Sequence, residues 1–356
     1  MIRAIIKYVK QKENTMTNKT VLVTGGTGYI AQYIMAQLLN AGYNVRTTVR
    51  SLARKNEIQA NLREAGAHNT EVELIAADLT ADLGWAEAMN GVDYVMHVAS
   101  PMIQSKNEDD LIIPAQQGTL RVLNFANAAG VKRVIMTSAF GAIGMGRNKK
   151  ESNRVFTEND WAPVNSKLLG AYYKSKTLAE KAAWDFVNQP ATKLELATIL
   201  PVAVFGPILG GKTTGSNHLL AMMLGGKTPA VPDIWIPVSD VRDIANAHIL
   251  AMTTPEAAGE RFIISHESSM PMKAIGQILK DGLGEVGKKV PTKQIPTWLI
   301  KLIAPLVPIM RQMLPDIGIE RKMSSANAKN ILHWQPQYSI NDTLIESAQV
   351  WLETHK

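Results

Sequence analysis

The chain contains no cysteine among its 356 residues. That absence excludes disulfide scaffolds, thiolate zinc sites, iron–sulfur clusters and cysteine nucleophiles, and it favours a reducing, cytoplasmic setting. The chain also lacks an uninterrupted apolar run of about 18 residues, so we expect no membrane span. Charged residues make up only 19%, and the formal net charge of +7 is not gathered in the basic stripe of a nucleic-acid binder. We therefore expect no nucleic-acid partner.

Two segments stand apart from the rest of the chain. The first fifteen residues lack the long apolar core of a signal peptide. Met16 precedes the first predicted strand, so both Met1 and Met16 stay open as the start of translation. Residues 295–314 are strongly apolar but are interrupted by charges and prolines. We interpret them as a pair of short helices, with a membrane-surface helix as the alternative.

Short apolar runs alternate with amphipathic stretches from residue 20 to about residue 205. Six of these runs are typical of parallel strands that are buried on both faces, namely residues 21–23, 45–49, 72–75, 92–98, 131–136 and 194–200. Several of the helical stretches between them end at a glycine suited to a left-handed terminal position. The alternation predicts an α/β fold with a doubly wound parallel sheet and right-handed crossovers.

A glycine-rich loop joins the first predicted strand to a helix, with the sequence TGGTGYIA at residues 24–31. Gly25, Gly28 and Ala31 have the spacing that permits a tight turn, close approach of a pyrophosphate and close helix packing. The start of the helix offers N–H groups and a partial positive charge to phosphates. We therefore predict a dinucleotide cofactor bound by Gly25, Thr27, Gly28, Tyr29 and Ile30.

The end of the second predicted strand carries arginine where NAD enzymes carry an acidic residue. Arg50 stands at that place, and Arg54 lies one helical turn further on. Guanidinium groups suit a 2′-phosphate, so NADPH is expected over NADH, although solvated charges at the start of a helix are the alternative. Asp78 and Leu79 follow the third strand. Asp78 is predicted to accept a hydrogen bond from the adenine amino group or to cap the next helix.

Tyr172 and Lys176 lie four residues apart within a stretch, residues 168–188, that is predicted to be helical. Residues at this spacing share a face of the helix. A nearby ammonium group stabilises a phenolate and lowers the phenol pKa from its ordinary value of about 10. The pair is therefore predicted to act as a general acid for a carbonyl oxygen that receives hydride.

Taken together, these motifs resemble the extended short-chain dehydrogenase/reductase family, within the epimerase/dehydratase-like group. The resemblance also uses HVASP at residues 97–101, YYKSK at residues 172–176 and Pro201 with Gly206-Pro207. Its dihydroflavonol reductase-like and yeast ketoaldehyde reductase-like branch is the most similar. The resemblance implies that Tyr172 is the proton donor and that Lys176 binds the nicotinamide ribose. It further implies that the cofactor is lined by Val98, Ala99, Ser100, Pro201 and Val204.

One position departs from that family pattern. The fifth strand usually ends Thr-Ser-Ser in this branch, whereas this chain reads Thr137-Ser138-Ala139. Direct alignment therefore places Ala139 where a serine would bind the substrate carbonyl. We take Ser138 as the candidate catalytic residue, with Thr137 or a water molecule as the alternatives.

Residues 20–205 are thus predicted to form an NADP-binding Rossmann domain, to which residues 240–266 return. Residues 206–239 and 267–356 would form a smaller, mostly helical substrate-binding lobe, and residues 1–19 a disordered or non-native extension. Between residues 206 and 237 the lobe contains no arginine, which favours a small apolar substrate over a nucleotide sugar. The predicted apolar substrate wall consists of Leu219, Leu220, Met222, Met223, Ile234, Trp235 and Ile236.

The expected function is an NADPH-dependent reductase of aldehydes or ketones. Two alternatives stay open: a nucleotide-sugar epimerase or dehydratase, and a non-catalytic NADP-sensing regulator. The polar residues Asp240, Arg242, Asp243 and His248 are interpreted as capping and bridging groups, and no metal is expected. We expect a small carbonyl compound as the only ligand besides the cofactor, and a monomer or a homodimer.

Overall fold

A computed structural model describes residues 19–101, 105, 107–226, 229–305 and 313–355. Residues 1–18 of the predicted N-terminal extension, and with them the start of translation, lie outside the described residues, as do residues 306–312 of the apolar segment. Lys19, the last residue of that predicted extension, adjoins β1, and its carbonyl oxygen accepts from the N–H of Asn44 at 3.0 Å. The strands are β1 (Thr20–Val23), β2 (Asn44–Val49), β3 (Glu73–Ala76), β4 (Tyr94–His97), β5 (Arg133–Thr137), β6 (Val155–Phe156), β7 (Glu195–Pro201), β8 (Ala203–Phe205), β9 (Trp235–Asp240), β10 (Arg261–Ile264), β11 (Ser269–Pro271) and β12 (Lys322–Met323).

The helices occupy the stretches between these strands and most of the C-terminal third. They are α1 (Tyr29–Asn40), α2 (Lys55–Glu64), α3 (Trp85–Met89), α4 (Asp109–Ala128), α5 (Gly141–Gly144), α6 (Lys149–Ser152), α7 (Ala171–Val187), α8 (Asn217–Leu224), α9 (Val241–Thr253), α10 (Met272–Gly282), α11 (Gly284–Gly287), α12 (Thr297–Ile303), α13 (Ala326–Ile331) and α14 (Ile340–Thr354). None of the helices described combines the length and the apolarity needed to cross a lipid bilayer.

The main sheet has seven strands in the order β10-β7-β5-β4-β1-β2-β3. Strand β1 pairs in parallel with both β2 and β4, and β2/β3 and β4/β5 are parallel as well. The strand order therefore reverses at β1, as it does in doubly wound sheets. The predicted Rossmann-like α/β fold is confirmed, and its sheet contains β10 in addition to the six strands predicted before residue 206.

The chain divides into two compact units. The first comprises the described residues up to Thr137 together with Leu178–Thr198 and Ala245–Glu260. Its core lies where buried apolar side chains of the sheet meet α3, α4 and α7, with Leu22, Trp85 and Val134 among its members. The alternation of apolar strands with amphipathic helices produces this layer, because each helix has one apolar face to bury.

Arg133 fixes the end of α9 within the first unit. Its side chain is almost completely buried, and its Nε donates to Glu195 Oε2 at 2.7 Å. The remaining guanidinium nitrogens donate to the carbonyl oxygens of Ala251, Thr254 and Pro255 at 2.6 to 3.0 Å. Carbonyl groups at the end of a helix have no partner within it, so a buried arginine here satisfies several at once.

The second unit comprises Ser138–Thr177, Ile199–Ile244 and the described residues from Arg261 onwards. Its core contains Phe205 and Met223 together with apolar residues of α10 and α14. Asp240 caps α9, because its Oδ1 accepts a hydrogen bond from the backbone N–H of Arg242 at 2.8 Å. Among the described residues, no group of histidine and carboxylate side chains is arranged to hold a metal ion.

Candidate functional site

The loop after β1 has the backbone geometry that a dinucleotide requires. Gly25 has a φ of +73°, and a Cβ there would lie 3.0 Å from the Cβ of Ala99. A Cβ on Gly26 would lie 2.3 Å from the Oγ1 of Thr47. Both positions therefore demand glycine. The loop is tied to β2, since the N–H of Gly25 donates to the Oγ1 of Thr48 at 3.1 Å.

Helix α1 begins at this loop without a local counter-charge. Its N-cap residue is Gly28, which offers no side-chain cap, and its first turn contains no acidic residue. The partial positive charge at the start of the helix is therefore not neutralised by α1's own side chains. Together with the bare backbone at Gly25, this fits a dinucleotide pyrophosphate.

Thr24 joins this loop to the segment after β4. Its buried Oγ1 accepts hydrogen bonds from the N–H groups of Val98 and Ala99 at 3.1 and 3.0 Å. Because both lone pairs are then used, its own hydrogen must point to His97 Nδ1, 3.1 Å away. His97 consequently carries its proton on Nε2, which faces the Oγ1 of Thr119 at 3.4 Å.

These contacts place the carboxyl ends of β1 and β4 side by side. The segment Val98, Ala99 and Ser100 lies next to the glycine loop at the point where the strand order reverses. Ligands of open α/β sheets bind at such reversal points. The structure thus brings the predicted phosphate-binding loop together with the residues after β4 that are predicted to line the cofactor.

The arginines after β2 have carboxylate neighbours that sequence reasoning missed. Arg54 donates two hydrogen bonds to Glu57, from Nε to Oε2 at 2.7 Å and from Nη2 to Oε1 at 2.6 Å. Arg50 is exposed, and its charge contributes to a lowered pKa of Asp78. The three-residue spacing of Arg54 and Glu57 at the start of a helix was the signal available in the sequence.

Asp78 takes part in the turn after β3. Its Oδ1 accepts from the hydroxyl and the N–H of Thr80 at 2.6 and 2.8 Å, and these bonds are the main reason for its lowered pKa. The sequence left two roles open for Asp78, a bond to the adenine amino group and the capping of the next helix. The structure shows Asp78 capping the turn at Thr80 and not a helix. Leu79 is half-buried and lies against Gly118 of α4, where a Cβ would come within 2.9 Å of it.

Within the second unit, Tyr172 and Lys176 lie in the first two turns of α7. Lys176 is buried, whereas the Tyr172 side chain is 38% exposed. Desolvation is the main cause that raises the pKa of Tyr172 to about 12, with neighbouring Tyr173 adding to it. In the protein alone the pKa of Tyr172 is therefore raised, where the sequence predicted a lowered one, because burial disfavours the phenolate.

The position of α7 depends on a glycine in the segment after β5. A Cβ on Gly141 would lie 1.9 Å from a ring carbon of Tyr173, so the missing side chain makes room for that ring. The Tyr172 and Tyr173 rings are packed edge to face with centroids 5.3 Å apart. The contact between the Tyr173 ring and Gly141 brings the start of α7 to the segment that begins with Ser138 and Ala139.

Side-chain alternation along β5 separates the three candidates at its end. Val134 and Met136 pack in the core that includes Ala179 of α7, so the even-numbered residues face α7. Thr137 faces the other way, with its Oγ1 2.7 Å from the Nε2 of His248. The extended pairing continues, since the N–H of Ser138 donates to the Ile199 carbonyl oxygen at 2.8 Å.

The remaining predicted cofactor residues lie at the end of β7 and in β8. Pro201 is buried, and its carbonyl oxygen accepts from the N–H of Phe140 at 2.8 Å. Val204 is half-buried, and its N–H donates to the Oγ of Ser216 at 3.2 Å. The first bond joins the end of β7 to the segment that contains Ser138, so these predicted residues lie near one another in the second unit.

The family model for the NAD-dependent epimerase/dehydratase family matches residues 21–265. The chain belongs to this family. It is 33% identical over 312 residues to cinnamoyl-CoA reductase 1 of Petunia hybrida, covering 86% of this chain and 89% of that one. It is 34% identical over 274 residues to dihydroflavonol 4-reductase of Arabidopsis thaliana, covering 74% and 68% respectively.

Among solved structures, the fold is similar to that of the yeast methylglyoxal/isovaleraldehyde reductase complexed with NADPH. The TM-score is 0.76 at 26% identity, covering 94% of this chain and 98% of the yeast chain. These relatives are reductases, so the family resemblance and the oxidoreductase class predicted from the sequence are confirmed. The family assignment does not by itself identify a substrate or assign a role to a residue.

Proposed function

We propose that this chain is an NADPH-dependent reductase of small, mostly apolar aldehydes or ketones. The observation that carries the proposal is the placement of the Tyr172 phenol one helical turn from the buried Lys176 at the start of α7. A protonated phenol is a proton donor, and the reduction of a carbonyl group requires one. The reductases to which the chain is similar, including one solved with NADPH, support the same chemistry.

The glycine loop and α1 would hold the pyrophosphate of NADPH, through Gly25, Thr27, Gly28, Tyr29 and Ile30. The 2′-phosphate would bind Arg50 and Arg54, and the adenosine half would lie against Asp78 and Leu79. The remainder of the cofactor would be lined by Val98, Ala99, Ser100, Pro201 and Val204. When bound, NADPH supplies the hydride. The preference for NADPH over NADH rests on the two arginines.

Tyr172 would give its proton to the carbonyl oxygen as negative charge develops there. The phenolate left behind is costly in a desolvated place, and an ammonium group on the same helix face offsets that cost. Lys176 is the residue with that charge at that spacing. Lys176 would also bind the nicotinamide ribose.

Ser138 is the residue we propose to hydrogen-bond the substrate carbonyl. Alternation along β5 supports it, because continued alternation would turn residue 138 to the face of Val134 and Met136, which packs on α7. Thr137 is less suited, since its hydroxyl is engaged with His248. Ala139 has no polar group to offer.

The apolar substrate class rests on fewer residues than the sequence indicated. Leu220 and Met223 pack in the core of the second unit and are buried. Met222, Trp235 and Ile236 stay exposed or half-buried and can contact a ligand. An apolar compound without a diphosphate is the class that these side chains favour.

The test is NADPH oxidation by the purified protein with a panel of aldehydes, α-ketoesters and diketones, beside Tyr172→Phe. We expect turnover with some member of the panel and a loss of about a hundredfold or more in the variant, with NADPH affinity retained. NADPH binding without turnover on any carbonyl would contradict the proposal. Equal turnover by Tyr172→Phe would remove Tyr172 from its role.

A further inference from the structure

Each of the cations predicted to meet a 2′-phosphate has a carboxylate beside it. The guanidinium of Arg54 makes two parallel hydrogen bonds to Glu57, and the charge of Arg50 acts on Asp78. Three positive charges, on Arg50, Arg54 and the exposed Lys55, and two negative charges, on Glu57 and Asp78, therefore lie after β2 and β3. Their formal sum is +1 rather than the +3 of the cations alone, which weakens the attraction for a phosphate.

Local structure forces the contact between Arg54 and Glu57. Arg54 ends the short 3-10 turn Leu52–Arg54, and Glu57 is the third residue of α2, so the two side chains lie on one face. The arginine side chain is 35% exposed and the glutamate 30%. A negative charge in the first turn of a helix is also favoured by the helix dipole.

We propose that Glu57 is a specificity-determining residue that weakens the preference for NADPH over NADH by occupying Arg54. This inference rests on the proposed function only in taking the dinucleotide as the ligand. A 2′-phosphate recruits the guanidinium only by displacing or sharing Glu57, and it meets the repulsion of that carboxylate. The 2′-hydroxyl of NADH is uncharged and meets neither cost.

The test is the dissociation constant of NADPH and of NADH, measured by fluorescence titration without substrate. We expect Glu57→Gln to tighten NADPH binding about threefold to tenfold and to change NADH binding less than about twofold, because an exposed ion pair competes only modestly. Glu64→Gln is the matched control. It removes the same charge from the other end of α2, which lies about 10 Å from Glu57. This distance is about one screening length, so the charge of Glu64 should act only weakly on a phosphate at Arg54.

A double-variant cycle shows whether Glu57 acts through Arg54. In an Arg54→Ala background, Glu57→Gln should no longer improve NADPH binding. Weaker NADPH binding by Glu57→Gln would overturn the proposal, since it would mean that Glu57 positions Arg54 for the phosphate. An equal gain from Glu64→Gln would also overturn it, as would an equal gain for both dinucleotides.

The failure of this inference can be told apart from the failure of the proposed function. If the unmodified protein binds neither dinucleotide, the proposed function itself is wrong. If it binds both and Glu57→Gln leaves their ratio unchanged, only the role of Glu57 is wrong.

Discussion

Thr24 shows how a single hydroxyl can organise a cofactor loop. It accepts hydrogen bonds from two partly buried backbone N–H groups of the segment after β4, and it donates one to the buried His97. The residue stands directly before Gly25, so the same side chain fixes the strand end from which the glycine loop begins. The glycine spacing alone gives no sign of this contact.

We predict that Thr24→Val destabilises the fold by about 1 to 3 kcal/mol, because the partly buried N–H of Ala99 loses its acceptor and that of Val98 keeps only the carbonyl oxygen of Met96. It should also weaken NADPH binding through the disturbed loop. Thr24→Ser keeps the hydroxyl and should cost less than about 1 kcal/mol. Urea unfolding and a binding titration of both variants test this, and equal stability of the two would contradict it.

The pair Ser138 and Ala139 gives a second prediction at the scale of residues. Ser138→Ala should lower the turnover of carbonyl substrates about a hundredfold, as expected for the loss of a hydrogen-bond donor to a developing oxyanion. Ala139→Ser should add little, because alternation turns residue 139 to the face of Thr137. The opposite pattern, with activity unchanged by the first variant and raised by the second, would assign the role to position 139.

At the scale of elements, the docking of α7 depends on Gly141. A methyl group there would meet the ring of Tyr173, whereas the space around a Cβ on Gly170, just before α7, is open to 4 Å. Gly141→Ala should therefore shift the first turn of α7, cost about 1 to 3 kcal/mol and lower turnover at least tenfold. Gly170→Ala should cost less than about 1 kcal/mol. Thermal unfolding and NADPH oxidation check both variants, and unchanged turnover in Gly141→Ala would contradict the prediction.

The attachment of α14 involves a buried carboxylate near the start of α9. Asp243 accepts hydrogen bonds from the N–H groups of Gln337 and Tyr338, just before α14. Burial raises the pKa of Asp243 to about 6, against the opposing effect of those bonds. The charges of neighbouring Asp240 and Arg242 act in opposite directions.

A pH dependence follows from that raised pKa. Between about pH 4 and pH 6 the folded protein keeps a proton on Asp243 that the unfolded chain has lost, so stability falls as the pH rises through this window. Relative to Asp243→Asn, the wild-type free energy of unfolding should fall by about 2 kcal/mol from pH 4 to pH 7. Denaturant unfolding at several pH values tests this. A constant difference between the two proteins would contradict it.

At the scale of the whole molecule, each compact unit is built from distant parts of the chain. Ala245–Glu260 belongs to the first unit and supplies the carbonyl oxygens that Arg133 binds. A fragment ending at Phe205 lacks them, and it also lacks β10 beside β7. We predict that residues 19–205 do not fold cooperatively, because the buried guanidinium of Arg133 would lose its carbonyl acceptors and keep only Glu195. Near-UV circular dichroism tests this, and a sharp thermal transition of the fragment would contradict it.

Much of the sheet and of the glycine loop could be predicted from the sequence, because strand burial and helix periodicity are local patterns. The same patterns gave α7 and the shared face of Tyr172 and Lys176. Three features that depend on the tertiary environment were missed. They are the pairing of Arg54 with Glu57, the burial of Leu220 and Met223, and the raised pKa of Tyr172. Each of these depends on what packs against a side chain, and residue spacing does not encode desolvation.

The discontinuous make-up of the first unit has a consequence for synthesis on the ribosome. Thr137 leaves the ribosome more than a hundred residues before Glu260, the last residue of that unit. At typical translation rates this delay is on the order of ten seconds. Because β10 begins only at Arg261, the growing sheet ends first at β5 and then at β7 during that interval, and for most of it Arg133 has no carbonyl oxygens from α9. The nascent chain therefore exposes a sheet edge for far longer than hairpin formation takes, which is the condition under which chaperones engage.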